Sequence, residues 1–384
     1  MSFWIVACSS KDESRDSIFS VLKSRIVPQL ASDLFVLDVP DSLKVGTFDS
    51  LIKVVDELAK HDTMAESVLR RVERQLLEID PNTQFKIMAQ RTTATVDDYL
   101  RRFVWDEAKF PKKTHVTELI QLILASVGKI DEELRLKSAA FNDLKQQASQ
   151  VAKKEGGNLS QRDLIDVLTP EVVKESDFIE SEYLTTLVVV VPRGQDKEWL
   201  EKYEGLDEHV VPRSSQKLPP EDREGNTLWR VVVMKKSAED FKSTARQNRF
   251  IVRDFTYSVE AYNHRKTERA RIEQELKKNE SFLKRVCEAN FSDVFIAWVH
   301  LKAIRVFVEA VLRFGLPPKI AAFFLMPTGR NEKRLRQELE TLFTSSGSFG
   351  KSYAGGAGGA EGHEMEGGEY YPYVSLTFTP LSQK

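Results

Sequence analysis

Two distant stretches of the chain carry apolar residues at alternating steps of three and four, with charged residues at most positions between. This spacing places the apolar side chains on one face of a helix, where they pack against a partner helix. A helix of about 28 residues is roughly 42 Å long. We therefore predict a long antiparallel helix pair and an elongated protein. The two seams are Val127, Ile130, Leu134, Lys137, Phe141, Leu144, Ala148 and Val151, and Ile272, Leu276, Asn279, Leu283, Val286 and Asn290.

The segment between the two seams has the pattern of a small α/β domain. Valine-rich apolar runs of this length are typical of buried strands. Ser237 and Asp240 are predicted to cap a helix that lies between two of the strands. The proline-rich, charged stretch Leu218–Gly225 is predicted to be an exposed loop. The predicted strands are Leu184–Val191, Leu228–Met234 and Phe250–Tyr257.

Both ends of the chain also contain strand patterns, separated by amphipathic helices. Because the two ends each supply strands, we predict that they share one sheet and that the first domain is discontinuous. Thr95 and Asp98 form the pattern of a helix-capping pair. The glycine-rich segment 345–368 is predicted to be disordered. The predicted strands here are Phe3–Ala7, Phe35–Val39, Ala321–Met326 and Tyr373–Thr379.

These patterns predict an α+β, helix-rich and elongated fold in which a small α/β head domain is inserted, through a helical neck, into a foot domain. A chain of 384 residues exceeds the size at which one core usually stops growing, so more than one domain is expected. The predicted parts are the foot at 1–115 and 290–384, with a flexible loop at 345–368, the neck helices at 116–155 and 259–289, and the head at 156–258.

Charge and composition argue for a soluble protein in a reducing compartment. The 56 basic and 58 acidic residues nearly cancel, so no overall field favours nucleic acid or anionic lipid. The most apolar region, Phe291–Met326, contains too many charges to span a membrane, and the N-terminus lacks the basic region of a signal peptide. Cys8 and Cys287 form no CxxC pair and are predicted to be buried, reduced thiols.

The chain shows no pattern that predicts a catalytic, metal or cofactor site. The six histidines are scattered without metal-ligand spacing, and His300 is predicted to be a buried histidine with satisfied hydrogen bonds. The stretch Gly347–Ser352 imitates the end of a phosphate-binding loop, but Ser345 stands where the pattern requires glycine. Nucleotide binding there is therefore not predicted.

Four charged residues lie close to one side of the apolar helix that ends at Phe314. They are spaced by three and four, which gives two interpretations. The stripe either faces water and pairs within the protein, or it is a docking face for a partner. The four docking candidates are Lys302, Arg305, Glu309 and Arg313.

Four segments together make the chain resemble the C subunit of the eukaryotic vacuolar-type proton ATPase over nearly its whole length. The longest of them is distinctive enough to make a chance match improbable. The glycine-rich tract Gly355–Gly368 departs from the family pattern. The four segments are Pro40–Leu51, Tyr99–Pro111, Ser181–Leu184 and His300–Pro317.

The resemblance implies a non-catalytic subunit without cofactors, shaped as foot, neck and head. Family members bind the E and G subunits of the peripheral stalk through head and foot, and the cytosolic part of the membrane-bound a subunit through the foot. They leave the pump when it disassembles reversibly, and some bind actin. The resemblance thus places the chain in the cytoplasm, attached peripherally to vacuolar or endosomal membranes. An actin-binding adaptor, or a nucleotide-binding enzyme that uses the head, are the alternative functions.

Overall fold

The structure, a computed structural model, describes residues 2–10, 13–89, 92–155, 158–316, 319–329, 331–345 and 371–381. The helices in these ranges are α1 (Arg15–Ile26), α2 (Phe48–Ile79), α3 (Val96–Arg101), α4 (Val116–Glu155), α5 (Asp196–Lys202), α6 (Ala238–Gln247), α7 (Val259–Phe314) and α8 (Glu332–Ser345). The strands are β1 (Phe3–Ser9), β2 (Ala31–Val36), β3 (Lys86–Ala89), β4 (Thr92–Thr95), β5 (Leu184–Val191), β6 (Gln216–Glu221), β7 (Thr227–Met234), β8 (Ile251–Arg253), β9 (Ile320–Pro327) and β10 (Val374–Phe378). The chain is a mixture of helix and sheet, as predicted.

The chain divides into two compact units. We call Met1–Ser138 together with Phe282–Lys384 the terminal unit, and Ala139–Ser281 the inserted unit. Each unit contains a four-stranded sheet, and each sheet has its own hydrophobic core.

The sheet of the terminal unit contains strands from both ends of the chain. Its order is β10-β1-β9-β2, and every neighbouring pair is antiparallel. Phe3 pairs with Phe378, and Trp4 pairs with Leu325 on the other side. Apolar residues from α1 and α8 cover the sheet face that contains Trp4 and Val6. The predicted sharing of one sheet by the two chain ends is therefore confirmed.

Helix α7 is one continuous helix from Val259 to Phe314, although its two halves were predicted as separate segments. Its sequence contains neither glycine nor proline, so nothing interrupts the backbone hydrogen bonds. Gly315 ends it with a φ of 84°, in the left-handed region that favours glycine. The half before Leu283 is highly charged, whereas the half after Cys287 is buried on nearly all sides.

Seam residues of α4 and α7 lie beside one another within each unit. In the terminal unit, the Lys137 ammonium lies 4.8 Å from the centre of the Phe282 ring, and Leu134 and Leu283 are buried. In the inserted unit, Val151 and Ile272 line the same small cavity. The apolar spacing thus identifies the helix faces that meet.

The sheet of the inserted unit has the order β6-β7-β5-β8 and is antiparallel throughout. Trp199 of α5 and Phe241 of α6 pack on one face of it. The predicted loop Leu218–Gly225 is wrong in its first half, because β6 extends to Glu221. Its two prolines are tolerated since β6 is an edge strand with an irregular register after Leu218.

Several local predictions differ from the structure. Strand β2 begins at Ala31, earlier than the predicted Phe35, and the β3–β4 hairpin was not predicted. The side chain of Ser237 accepts no capping hydrogen bond from α6, and its hydroxyl donates to the carbonyl of Met234 at 3.3 Å. Thr95 caps α3 as predicted, accepting from the Asp98 amide at 3.1 Å.

Two further predictions concern the cysteines and the glycine-rich tract. Cys8 and Cys287 are free and buried, as predicted. Burial raises the pKa of both thiols, that of Cys287 to about 12, helped by the charges of Glu133 and Glu288. Residues 346–368 of the predicted disordered segment lie outside the described residues, and so does the stretch Gly347–Ser352 within them.

Candidate functional site: a buried charge network and the loop after α3

A network of charged side chains joins α2 to α7 inside the terminal unit. The Lys302 ammonium donates to both carboxylate oxygens of Asp62, at 2.8 and 3.0 Å. Arg305 donates to Asp62 at 3.3 Å and to Glu309 at 2.9 Å. The indole N–H of Trp298 donates to Asp62 at 2.8 Å. One carboxylate on α2 is thus the acceptor for three side chains of α7.

The four docking candidates therefore do not form the exposed stripe that their spacing predicted. Lys302 is 2% exposed and Glu309 is 6% exposed, because this side of α7 packs against other elements and does not face water. Arg313 donates to the carbonyl oxygens of Tyr371, at 2.8 Å, and Tyr373. The stripe pairs within the protein, and a docking role of these four residues stays a prediction.

Burial and ion pairing have opposite effects on the pKa values in this network. Burial lowers the pKa of Lys302, and the adjacent Asp62 carboxylate acts in the opposite direction. Burial raises the pKa of Glu309, against the effect of the Arg305 and Arg313 charges. Removing one partner of a buried ion pair costs far more free energy than the intact pair contributes to net stability. The network therefore selects one arrangement of α2 against α7.

Helix α2 also holds the segment that follows β10 through two backbone carbonyl groups. Arg70 on α2 donates to the carbonyl oxygens of Thr379 and Pro380, and its guanidinium is oriented by Glu66 at 3.1 Å and Glu73 at 2.9 Å. Hydrogen bonds from a charged donor are stronger than those between neutral groups. The two residues that follow β10 are consequently fixed to α2.

His300 connects α7 to the loop that follows α3, residues 102–115. Its Nδ1 donates to the Ile296 carbonyl at 2.7 Å, and its Nε2 accepts the Asp106 backbone N–H at 3.0 Å. These two bonds require the neutral imidazole. Burial lowers the pKa of His300 to about 4. The prediction of a buried histidine with satisfied hydrogen bonds is confirmed.

The loop after α3 is held in one conformation around that histidine. The rings of Trp105 and Phe110 lie 4.7 and 4.6 Å from the imidazole. The Trp105 indole N–H donates to the Phe110 carbonyl at 2.6 Å. At the surface, Lys109 pairs with Asp293 of α7 at 2.7 Å. The loop therefore presents a fixed outer surface, from which Val104 projects with 51% exposure.

The described ranges contain neither a metal cluster nor a membrane span. No group of three or more His, Cys, Asp and Glu side chains in them is arranged to hold a metal ion. Within the same ranges, no helix combines the length and the apolar character that crossing a bilayer requires.

The sequence profile of the V-ATPase C subunit matches residues 3–374. The chain belongs to the V-ATPase C-subunit family. The C subunit of the V-type proton ATPase of Arabidopsis thaliana is 37% identical over 380 residues, which cover 98% of each chain. The C 1 subunit of the Rattus norvegicus enzyme is 39% identical over 340 residues, covering 88% of this chain and 87% of the rat protein. That of Xenopus laevis is 36% identical over 375 residues, covering 97% of this chain and 96% of the frog protein.

Membership of the V-ATPase C-subunit family confirms the resemblance found in the sequence. The predicted role of an accessory, non-catalytic subunit of this proton pump is also confirmed. Among solved structures, the cytoplasmic N-terminal domain of the V-ATPase I subunit, which is a homologue of the a subunit, is 13% identical over 98% of this chain and 100% of that chain. Its TM-score of 0.30 is too low to carry an argument about the fold.

Two of the segments that carry the family resemblance, Tyr99–Pro111 and His300–Pro317, meet where His300 accepts the backbone N–H of Asp106. The sequence interpretation missed Asp62 as the centre of the charge network. A signal was present, because Asp62 stands in line with Leu58, Ala65 and Leu69 on the buried face of α2. A carboxylate at an apolar position of this kind indicates a buried partner.

Proposed function

We propose that the chain is the stator and assembly subunit of the V-type proton ATPase. In this role it links the E and G subunits of the peripheral stalk to the cytosolic part of the membrane-bound a subunit. It resists the torque of the rotor, takes part in reversible assembly, and supports ATP-driven proton transport and organelle acidification. The family match from residue 3 to residue 374 carries the proposal.

The proposed organisation assigns residues 1–115 and 290–384 to a foot, 116–155 and 259–289 to a neck, and 156–258 to a head. The uninterrupted helices α4 and α7, whose seam residues meet within each unit, support the assignment of a neck. The proposed location is the cytoplasm, with peripheral attachment to the cytosolic face of vacuolar or endosomal membranes.

A mechanical argument explains why such a subunit needs no catalytic residue. ATP hydrolysis in one ring turns a rotor that drives protons through another part of the pump. Without a static link, the hydrolysing ring would turn with the rotor, and no work would reach the membrane. A link of this kind needs stiffness and docking surfaces. Reversible release favours several moderate polar contacts over one large apolar interface.

The test uses a pump whose own C subunit has been replaced by this chain. Leu134→Asp together with Leu283→Asp places charges in the seam between α4 and α7, where both leucines are buried. The proposal expects normal protons pumped per ATP with the unmodified chain and a clear loss of coupling with the double variant. Leu136→Asp is the matched control, because Leu136 on the same helix is 59% exposed.

The two possible failures of this test have different meanings. Failure of the unmodified chain to restore coupled pumping contradicts the stator function itself. Normal coupling with a stably folded double variant contradicts only the role assigned to the helix pair.

A further inference from the structure

An open groove of about 480 Å³ runs along β2 in the terminal unit. Phe19 and Lys23 of α1 form one wall, and Arg101–Val104 form the other. The floor is Asp33–Val36, the last four residues of β2. The groove therefore lies at an edge of the sheet, beside the loop that His300 holds.

The floor of the groove offers backbone groups as well as side chains. Strand β2 is the last strand in the order β10-β1-β9-β2. The Leu37 N–H points toward β9, since it donates to the Ala322 carbonyl at 2.9 Å. Amide directions alternate along a strand, so the Val36 N–H points away from β9, to the open edge. The Leu34 N–H, on that same edge, is already occupied by the Asp33 carboxylate at 3.0 Å.

Positive charge dominates the side chains of the groove. Arg101 is neutralised by Asp33 at 2.9 Å, and its guanidinium lies 5.0 Å from the centre of the Phe35 ring. Lys23 and Arg102 on the two walls are exposed, and no carboxylate of the described residues forms an ion pair with either. The groove thus has two cations available to a ligand with negative charge.

Apolar side chains line the same groove. The Phe19 ring is partly buried against the core, and Val104 is exposed. Phe103, which is buried, fixes the second wall through ring contacts with His300 and Phe324. A wall that is already ordered reduces the entropy lost on binding. A groove lined by both cations and apolar side chains matches an extended segment that has both acidic and apolar residues.

We propose that this groove is a docking site for an acidic, extended segment of a partner subunit of the pump. Carboxylates of the segment pair with Lys23 and Arg102, and an apolar side chain of the segment contacts Phe19, Phe35 and Val104. The inference rests on the proposed stator function and names the chemistry of one of its contacts.

The experiment measures binding of the purified full chain to two probes, the E–G heterodimer and the cytosolic part of the a subunit. The test variant is Lys23→Glu with Arg102→Glu. For one of the probes we expect affinity to fall at least about tenfold and to lose most of its dependence on salt concentration. Lys53→Glu with Lys60→Glu is the matched control, because both lysines are on α2 outside the groove.

A second variant, Val104→Asp, tests the apolar contact without removing a cation. It is also expected to weaken binding of the same probe, with an unchanged melting temperature because Val104 is exposed. If both variants bind each probe as tightly as the control does, the groove proposal is overturned and the stator function is left intact. If the unmodified chain binds neither probe, the stator function is contradicted, and the groove proposal with it.

Discussion

His300 shows how a single neutral side chain joins two segments nearly 200 positions apart. One ring nitrogen donates to α7 and the other accepts from the loop after α3, so both of its hydrogen-bonding positions are used. A protonated imidazole has two donors and no acceptor, and it cannot accept the Asp106 N–H. The connection therefore depends on the protonation state of His300.

We expect acid to destabilise the terminal unit through this residue. The pKa of His300 falls from about 6.5 when unfolded to about 4 when folded, mainly by burial, with Asp106 raising and Lys109 lowering it. The unfolded chain thus binds the proton more readily. The stabilisation is complete above pH 6.5 and is lost progressively as the pH falls to about 4, by roughly 3 kcal/mol in total.

The measurement is urea unfolding of the wild type and His300→Gln at several pH values across this window. Glutamine does not titrate. The free energy of unfolding of the variant should therefore fall less steeply as the pH is lowered, because the variant takes up about one proton fewer on unfolding. Identical pH dependence of the two proteins would contradict the prediction.

Asp62 gives a second prediction at the scale of residues. Asp62→Ala leaves Lys302 buried and removes one acceptor of Arg305, so we expect a loss of about 3–5 kcal/mol in the free energy of unfolding. Adding Lys302→Met should cost less than the sum of the two single changes. Asp56→Ala, at an exposed position of the same helix, is the control and should change little. Strict additivity would show that the two charges are not coupled.

At the scale of elements, α4 is uninterrupted although Gly128 lies within it. Glycine costs about 1 kcal/mol relative to alanine inside a helix, and a Cβ added here would meet nothing within 4 Å. Gly128→Ala is therefore expected to raise the free energy of unfolding by up to about 1 kcal/mol.

Gly194 provides a control of opposite sign, because its φ is 79° although the space around it is also open. Gly194→Ala should destabilise by about 1 kcal/mol, since L-residues rarely adopt this conformation. Urea or thermal unfolding measures both variants. If both variants were more stable than the wild type, backbone conformation would not control the effect of these substitutions on stability.

At the scale of the whole molecule, each unit has its own sheet and core, so a core defect should remain local. Phe241→Ala in the inserted unit is expected to cost about 3–5 kcal/mol there, because the side chain is fully buried. Hydrogen exchange of β5 amides should accelerate strongly while that of β9 amides changes little. Phe323→Ala in the terminal unit is the reciprocal control. Equal acceleration in both sheets would show that the two units unfold together.

The sequence predicted regular elements well where local pattern and burial agree. The strands β1, β5, β7 and β9 are short apolar runs, and the seams of α4 and α7 have unambiguous spacing. It failed at β6, where Pro219 and Pro220 are usual signals of a loop. Only the register with β7 shows that an edge strand accommodates them.

The sequence by itself determined which residues are apolar, how they are spaced along each element, and to which family the chain belongs. The tertiary structure decided which side of α7 faces another element. Spacing shows that Lys302, Arg305 and Glu309 share one side of the helix, but not that Asp62, some 240 positions away, lies opposite. Long-range packing makes that decision, because it determines whether a charge is paired inside the protein or available at a surface such as the groove along β2.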